Sequence, residues 1–217
     1  LKTKLIGVKY LTDCYVVSAE GNGKLEAVNL TRNSKNWRVE CDLLACGFHL
    51  VPNNELAQML GCKIENGCVK VDEFQQTSIE NVFCAGEPTG IGGVEKSLIE
   101  GKIAGFSASG NFEKAKGLFA ERQKIQRFAE SLNQTFSLRD ELKNLPAAET
   151  IVCRCEDVKF EDLKNFATFR EAKLQTRCGM GSCQGRICGA ATEFLFDWKN
   201  DSVRPPIFPV RLESLGD

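Results

Sequence analysis

The feature that most constrains this chain is a set of two cysteine pairs near its end. Cys153-Arg154-Cys155 is followed, after 27 residues, by Cys183-Gln-Gly-Arg-Ile-Cys188. Between them Phe160, Leu163, Phe166 and Ala167 recur at i, i+3, i+6 and i+7. After them Ala191, Phe194, Leu195 and Trp198 recur at i, i+3, i+4 and i+7. Both patterns predict helices. The pairs therefore fall in loops at helix ends, where two loops can meet around one metal centre. Gly179, Gly181, Gly185 and Gly189 let the backbone bend tightly and aim N–H groups at sulfur.

Three chemistries compete for this pattern. Four-Cys zinc is one, although structural zinc sites favour pairs spaced by two to four residues, and C-x-C is less usual. A disulfide framework is another. The third is a 2Fe–2S cluster ligated by Cys153, Cys155, Cys183 and Cys188, which we favour. Cys178 precedes Cys183 by the same interval that separates Cys183 from Cys188, so the pair 178/183 competes with 183/188. We prefer Cys188 because it opens the last helix. A 2Fe–2S centre on four thiolates carries a net charge of about −2, and about −3 when reduced. Arg154, Arg177 and Arg186 flank the ligands, and the helix starting near Cys188 offers its positive end.

Composition supports a reducing compartment. The chain has 217 residues and eleven cysteines, an odd count at a density below that of a small disulfide scaffold. No signal peptide is expected, and no apolar run in the sequence is long enough for a transmembrane segment. The expected location is cytoplasmic, with contact to the inner membrane only through partners. Net charge is −1 at pH 7, which argues against nucleic acid. The single His49 excludes most multi-His metal sites and is read as a loop or packing residue. Cys14, Cys41, Cys46, Cys62, Cys68 and Cys84 are expected to be small buried residues.

The first half reads as β structure over residues 14–47, with turns at Gly21-Asn22-Gly23 and Asn33-Ser34. The stretch Trp37 to Gly47 ends in a nearly continuous apolar run, as a buried strand would. Glu55 to Leu60 is a short helix. Asn66-Gly67 closes a hairpin that sets Cys68 opposite Glu65 rather than Cys62. Asn81 to Ala85 is a short buried strand leading into Gly86-Glu-Pro-Thr-Gly-Ile-Gly-Gly93. A helix follows, with Val94, Leu98, Ile99 and Ile103 on one side. Strand, glycine-rich loop and helix can bring backbone N–H groups close to a phosphate or cofactor. Over residues 112–143 an amphipathic stripe of Leu118, Ile125, Phe128, Ala129 and Leu132 predicts a helix that packs on neighbouring structure. Leu145 to Thr150 is a linker.

Two motifs carry a family resemblance. Cys153-Arg-Cys-Glu-Asp-Val158 with Thr176-Arg-Cys-Gly-Met-Gly-Ser-Cys-Gln-Gly-Arg-Ile-Cys188 resembles the 2Fe–2S domain of bacterioferritin-associated ferredoxin type. Gln75-Gln-Thr-Ser-Ile-Glu-Asn-Val-Phe-Cys-Ala-Gly-Glu87 resembles the second FAD motif of the pyridine nucleotide-disulfide oxidoreductase superfamily. In this order they resemble the C-terminal half of the larger subunit of bacterial opine oxidases, hydrogen cyanide synthase and related proline or hydroxyproline dehydrogenases.

The resemblance implies an α/β fold: a partial FAD/NAD(P)-binding Rossmann-like domain followed by a small, mainly α 2Fe–2S domain. It implies four parts: 1–50 from the inserted NAD(P)-type domain, 51–112 from the FAD domain, a helical linker over 113–149, and the 2Fe–2S domain over 150–217. It places FAD near Gly86, Glu87, Thr89, Gly92, Gly93 and Val94, with Glu87 standing where the superfamily prefers Asp. No G-x-G-x-x-G turn is present, and the chain starts at Leu1 rather than Met. A fragment with an incomplete FAD site, inactive by itself, is therefore expected.

The function implied is electron transfer within a flavin-dependent dehydrogenase acting on C–N bonds of opine, proline or glycine-like substrates. The implied partners are a catalytic flavoprotein subunit of a hetero-oligomer and an acceptor protein or quinone. No residue is singled out as a catalytic acid, base or nucleophile. The alternatives are an NAD(P)H-dependent flavoprotein reductase and a non-enzymatic iron–sulfur docking module.

Overall fold

A computed structural model describes residues 7–199, together with 203–205, 207, 211 and 213. Expectations that fall on residues 1–6, or on the rest of the C-terminal stretch, lie outside the described residues. The chain is mixed α/β, and its contacts divide it into two units, residues 1–48 and 49–217.

The first unit is a three-stranded antiparallel sheet in the order β1 (Tyr15–Glu20), β2 (Ala27–Arg32), β3 (Lys35–Glu40). Asn33 and Ser34 both take left-handed φ, at 47° and 63°, and Arg32 pairs with Lys35. That is the two-residue turn whose twist matches a hairpin. Ala27 and Val28 on the central strand are buried. The apolar run beyond β3 departs from expectation. The strand stops at Glu40, residues 41–48 carry no regular structure, and Leu43 is 88% exposed. Among the described residues β3 is an edge, so this backbone has no further ladder to join.

The second unit begins with α1 (Glu55–Met59) and a small hairpin, β4 (Ile64–Glu65) and β5 (Cys68–Val69). Glu65 pairs with Cys68 across Asn66-Gly67, as the turn chemistry requires. Asn81 to Ala85 forms only the single bridge Gln76–Phe83, not a strand. Asn81 takes a left-handed φ of 61°, and Cys84 N–H donates to the Gln75 carbonyl at 3.0 Å. The segment is therefore folded back on Gln75–Thr77 rather than extended along a sheet.

A short 3₁₀ turn (Glu87–Thr89) leads into α2 (Gly93–Ala108), then α3 (Phe112–Lys116) and α4 (Phe119–Thr135). Ile99, Ile103 and Ala115 form a buried cluster, lined by Phe74, Phe106, Leu118, Phe119 and Ile125. The expected side of α2 splits. Ile99 and Ile103 are buried, whereas Val94 and Leu98 are exposed. The buried stripe runs instead through Lys96, Ile99, Glu100, Ile103 and Ser107. Two charged residues thus occupy places that a hydrophobic pattern would fill. On α4, Ala129 is buried but Phe128 faces away from the core.

The charged pair explains itself through its partners. Lys96 Nζ lies 2.8 Å from Glu100 Oε1, and both side chains are almost fully buried. Lys96 also donates to Thr89 Oγ1 at 3.0 Å and to the Gly90 carbonyl at 2.9 Å. Glu100 Oε2 accepts from Gly86 N–H at 2.9 Å and from Thr89 Oγ1 at 2.7 Å. The pair therefore fastens the glycine-rich loop onto α2.

A third region has its own core. The hairpin of β6 (Ile151–Cys153) and β7 (Val158–Lys159) leads into α5 (Phe160–Leu163), α6 (Phe169–Thr176) and α7 (Cys188–Phe196). Cys153, Val158, Leu163, Phe169, Ala172, Cys178, Cys188 and Trp198 are buried together.

Lys96→Met strands Glu100 as a buried charge without its cation. Breaking such a pair costs about 3–5 kcal/mol. The urea unfolding midpoint of the variant is expected to fall accordingly, while an exposed-site control, Lys102→Met, stays near the parent value.

Candidate functional site

The cysteine site is built by three local devices. The first is the β6–β7 hairpin. Cys153 ends β6, pairs with Val158 and is buried, whereas Cys155 in the following turn is exposed. The second is the end of α6. Arg177 takes a left-handed φ of 65° there and stops the helix. Cys178 N–H then donates to Thr176 Oγ1 at 3.2 Å, which turns the thiol inward. The third is the start of α7, which opens at Cys188 as its spacing predicts.

Glycine is required where these devices touch. A Cβ on Gly181 would lie 2.2 Å from Cys155 Cβ, so the loop rests directly on the hairpin turn. A Cβ on Gly179 would lie 2.8 Å from the Phe169 ring, and Gly179 also has a left-handed φ of 78°.

The sulfurs form two groups. Cys153, Cys178 and Cys188 are all buried, and their sulfurs lie within 4.8 Å of one another. The Cys155 thiol donates to the Cys183 sulfur at 3.6 Å, nearer the surface. The four sequence-predicted ligands fall into these two groups, Cys155 with Cys183 and Cys153 with Cys188, and Cys178 joins the second. Two thiolates about 2.3 Å from one tetrahedral metal stand about 3.8 Å apart. The donor set and these separations suit a thiolate-bound metal centre.

Electrostatics differ across the site. Burial pushes the Cys183 thiol up, but the N–H of Ile187, the Cys155 thiol and the N–H of Gly185 outweigh it and bring it below the usual thiol range. The Cys188 thiol is pushed far up, first by its hydrogen bond with Cys178 and then by burial. Two of the three flanking arginines, Arg177 and Arg186, also pair with carboxylates. Arg177 Nε lies 2.7 Å from Glu156 Oε2. Arg186 donates to Glu55 Oε2 from Nη2 at 2.7 Å and from Nε at 3.1 Å. These carboxylates offset part of the positive charge offered to the sulfurs.

The glycine-rich loop is the second candidate site. Gly86 is buried with φ 84°, and the Glu87 carboxylate beside it is exposed. The Thr89 hydroxyl is held by Lys96 and Glu100. Gly92 caps α2; a Cβ there would lie 2.3 Å from Lys96 Cδ and 3.0 Å from Ala129 Cβ. At Gly93 an added Cβ meets nothing within 4 Å, and Val94 is exposed. The N-terminus of α2 is therefore open to solvent, with the positive end of the helix dipole exposed and the Glu87 carboxylate nearby.

The remaining cysteines correct the sequence reading. Cys62 is buried, whereas Cys14, Cys41, Cys68 and Cys84 are partly exposed and Cys46 is exposed. Burial nevertheless pushes the Cys68 and Cys84 thiols upward. His49 lies exposed in a segment without regular structure, consistent with a loop residue, and its Nε2 is in hydrogen-bond contact with Asn133 Oδ1 at 3.1 Å. Lys96 and Glu100 were invisible to hydrophobic patterning. The signal that marks them is a Lys and a Glu four apart on the stripe shared by Ile99 and Ile103. Among the described residues no helix is long and apolar enough to cross a membrane.

Residues 2–105 match the family described as pyridine nucleotide-disulphide oxidoreductase. The HcnB subunit of hydrogen cyanide synthase from Pseudomonas aeruginosa is 29% identical over 212 residues, covering 85% of this chain and 46% of that protein. An opine oxidase subunit of Rhizobium meliloti is 24% identical over 229 residues, covering 92% of this chain and 44% of that protein. NADH oxidase of Methanocaldococcus jannaschii is 31% identical over 118 residues, covering 47% of this chain and 25% of that protein. The chain spans less than half the length of these relatives. Over residues 2–105 the chain is thus similar to proteins of the pyridine nucleotide-disulphide oxidoreductase family.

Proposed function

We propose that this chain is the electron-transfer part of a flavin-dependent oxidoreductase acting on C–N bonds, with opine, proline or glycine-like compounds as the substrate class. The observation that carries the reading is the convergence of thiols from two distant segments, with Cys155 and Cys183 sulfurs 3.6 Å apart. The names of the relatives, hydrogen cyanide synthase and opine oxidase, support the substrate class.

In this reading Cys153, Cys155, Cys183 and Cys188 hold a 2Fe–2S cluster, which would supply one-electron transfer. The chain contributes ligation, orientation and charge. The N–H groups of Ile187 and Gly185 stabilise negative charge at Cys183. Buried Cys153 and Cys188 keep water from the interior side. Gly86, Glu87, Thr89, Gly92, Gly93 and Val94 would hold FAD. Glu87 offers an acceptor for a hydroxyl, and the α2 N-terminus favours phosphate. Thr89 acts on the loop itself, through Lys96 and Glu100. The 150–217 segment is the cluster domain, with 51–112 as the flavin side and 113–149 as the connection. The partners are an acceptor protein or quinone and a catalytic flavoprotein subunit, in the cytoplasm or against the inner membrane through those partners.

The NADH oxidase match favours a second reading, an NAD(P)H-dependent flavoprotein reductase. Stopped-flow absorbance of the assembled complex separates the two. Bleaching by proline or an opine supports the first reading; bleaching by NADH alone overturns it in favour of the second.

Anaerobic reconstitution of the chain with iron and sulfide is expected to give two of each per chain. A colourless chain holding one zinc would overturn the electron-transfer reading. Cys155→Ser should lower iron content by at least about tenfold, given that even outer-shell changes cost 10–100-fold in metal affinity. Cys62→Ser should leave it unchanged, and equal loss in both variants would contradict the ligand assignment. Gly181→Ala, which sets a methyl 2.2 Å from Cys155 Cβ, should also lower iron content, in a chain whose helix content by circular dichroism is retained.

A further inference from the structure

The interior of the cysteine site holds more thiols than one metal position needs. Cys155 and Cys183 stand 3.6 Å apart, close to the roughly 3.8 Å expected of two thiolates sharing one tetrahedral metal. If that pair serves one position, a second position has two protein ligands left to fill. Three thiols face it. Cys153, Cys178 and Cys188 are each at most 2% exposed, and their sulfurs lie within 4.8 Å of one another.

Their backbone supports are independent. Cys153 is held by the β6–β7 hairpin, Cys178 by the turn after α6, and Cys188 by the first turn of α7. Losing one sulfur therefore leaves the other two in place. The Cys178 and Cys188 sulfurs also lie within 4.8 Å of each other, so one metal position is in reach of either. A buried thiol at this site has no need of a metal to be tolerated, since free cysteine packs as a small hydrophobe. What distinguishes Cys178 from the buried cysteine outside the site, Cys62, is its company. The Cys62 thiol donates to Thr77 Oγ1 at 3.5 Å, whereas the Cys178 sulfur lies among other sulfurs.

We propose that Cys178 is a fifth thiol ligand of this centre, interchangeable with Cys188 at the interior metal position. The inference rests on the cluster reading above and adds a residue to it. Exchange makes one metal–sulfur bond and breaks another. With a metal bound, the Cys178 thiol would lose its proton as its sulfur ligates, the displaced Cys188 sulfur would take up a proton, and no electron would move. Cys153 is shared by both arrangements.

The test compares three full-length chains reconstituted anaerobically with iron and sulfide: the parent, Cys188→Ala, and Cys178→Ala/Cys188→Ala. Iron and acid-labile sulfide are quantified, and the reduced proteins are examined by electron paramagnetic resonance. Cys188→Ala is expected to retain iron within about twofold of the parent, with shifted g values that report a changed ligand. The double variant is expected to fall at least about tenfold below it. Loss of iron in Cys188→Ala to the level of the double variant would overturn the proposal, as would retention in the double variant. If near-UV circular dichroism shows that Cys188→Ala does not fold, Cys188→Ser carries the same comparison. A parent chain that takes up no iron but binds zinc overturns the cluster reading, and the ratio of zinc content among the three chains then decides the ligand question. A parent that binds neither metal overturns both.

Discussion

Packing of sulfur against sulfur is the constraint on which the C-terminal region depends. Three of the eight residues in its buried core are Cys153, Cys178 and Cys188, and the others are apolar. A thiol fills a core position as a small hydrophobe, but it brings less apolar surface than Leu or Phe. The region is short, its strands span two or three residues, and α5 is a single turn. Such elements do not stand alone in water. Their sulfur-rich core is weak as hydrophobic packing and strong as a ligand set. Metal binding to it would add directly to folding free energy, because the unfolded chain cannot present the same thiols together.

The loop at Gly86–Gly93 depends on a different interaction, the buried ion pair of Lys96 and Glu100. The two side chains satisfy each other and also the backbone and hydroxyl groups of the loop. A buried pair of this kind adds little net stability over apolar packing but specifies one arrangement strongly. Here the arrangement specified is a loop whose far side, at Glu87, Gly93 and Val94, is left open.

Much of the local structure could be read from residue chemistry. The Asn33-Ser34 and Asn66-Gly67 turns form because these residues accept left-handed φ, and the opening of α7 at Cys188 follows from its apolar spacing. Errors arose where a pattern needed a partner to become structure. The apolar run after β3 has strand composition, yet without a neighbouring ladder among the described residues it stays irregular. Asn81 to Ala85 folds back on its own upstream segment. On α2, hydrophobic periodicity placed Val94 and Leu98 inside, because periodicity carries no information on Lys96 and Glu100 neutralising each other in the interior. The C-x-C and C-x4-C spacing singles out four of the five cysteines whose sulfurs the fold gathers into two groups. The burial of Cys178 beside them is not legible in that spacing, since it depends on how Arg177 ends α6.

The contact between Arg186 and Glu55 joins the cysteine loop to the first helix of the same unit across 131 residues of chain. Loop-closure entropy rises with the length enclosed, and long-range contacts form late in folding. This bidentate contact can close only after both α1 and the turn at Cys183 have taken shape. It is therefore a late latch on the folding route and an early one to open. Contacts of such long span raise the contact order of the unit, and chains rich in them fold more slowly than those built on local contacts.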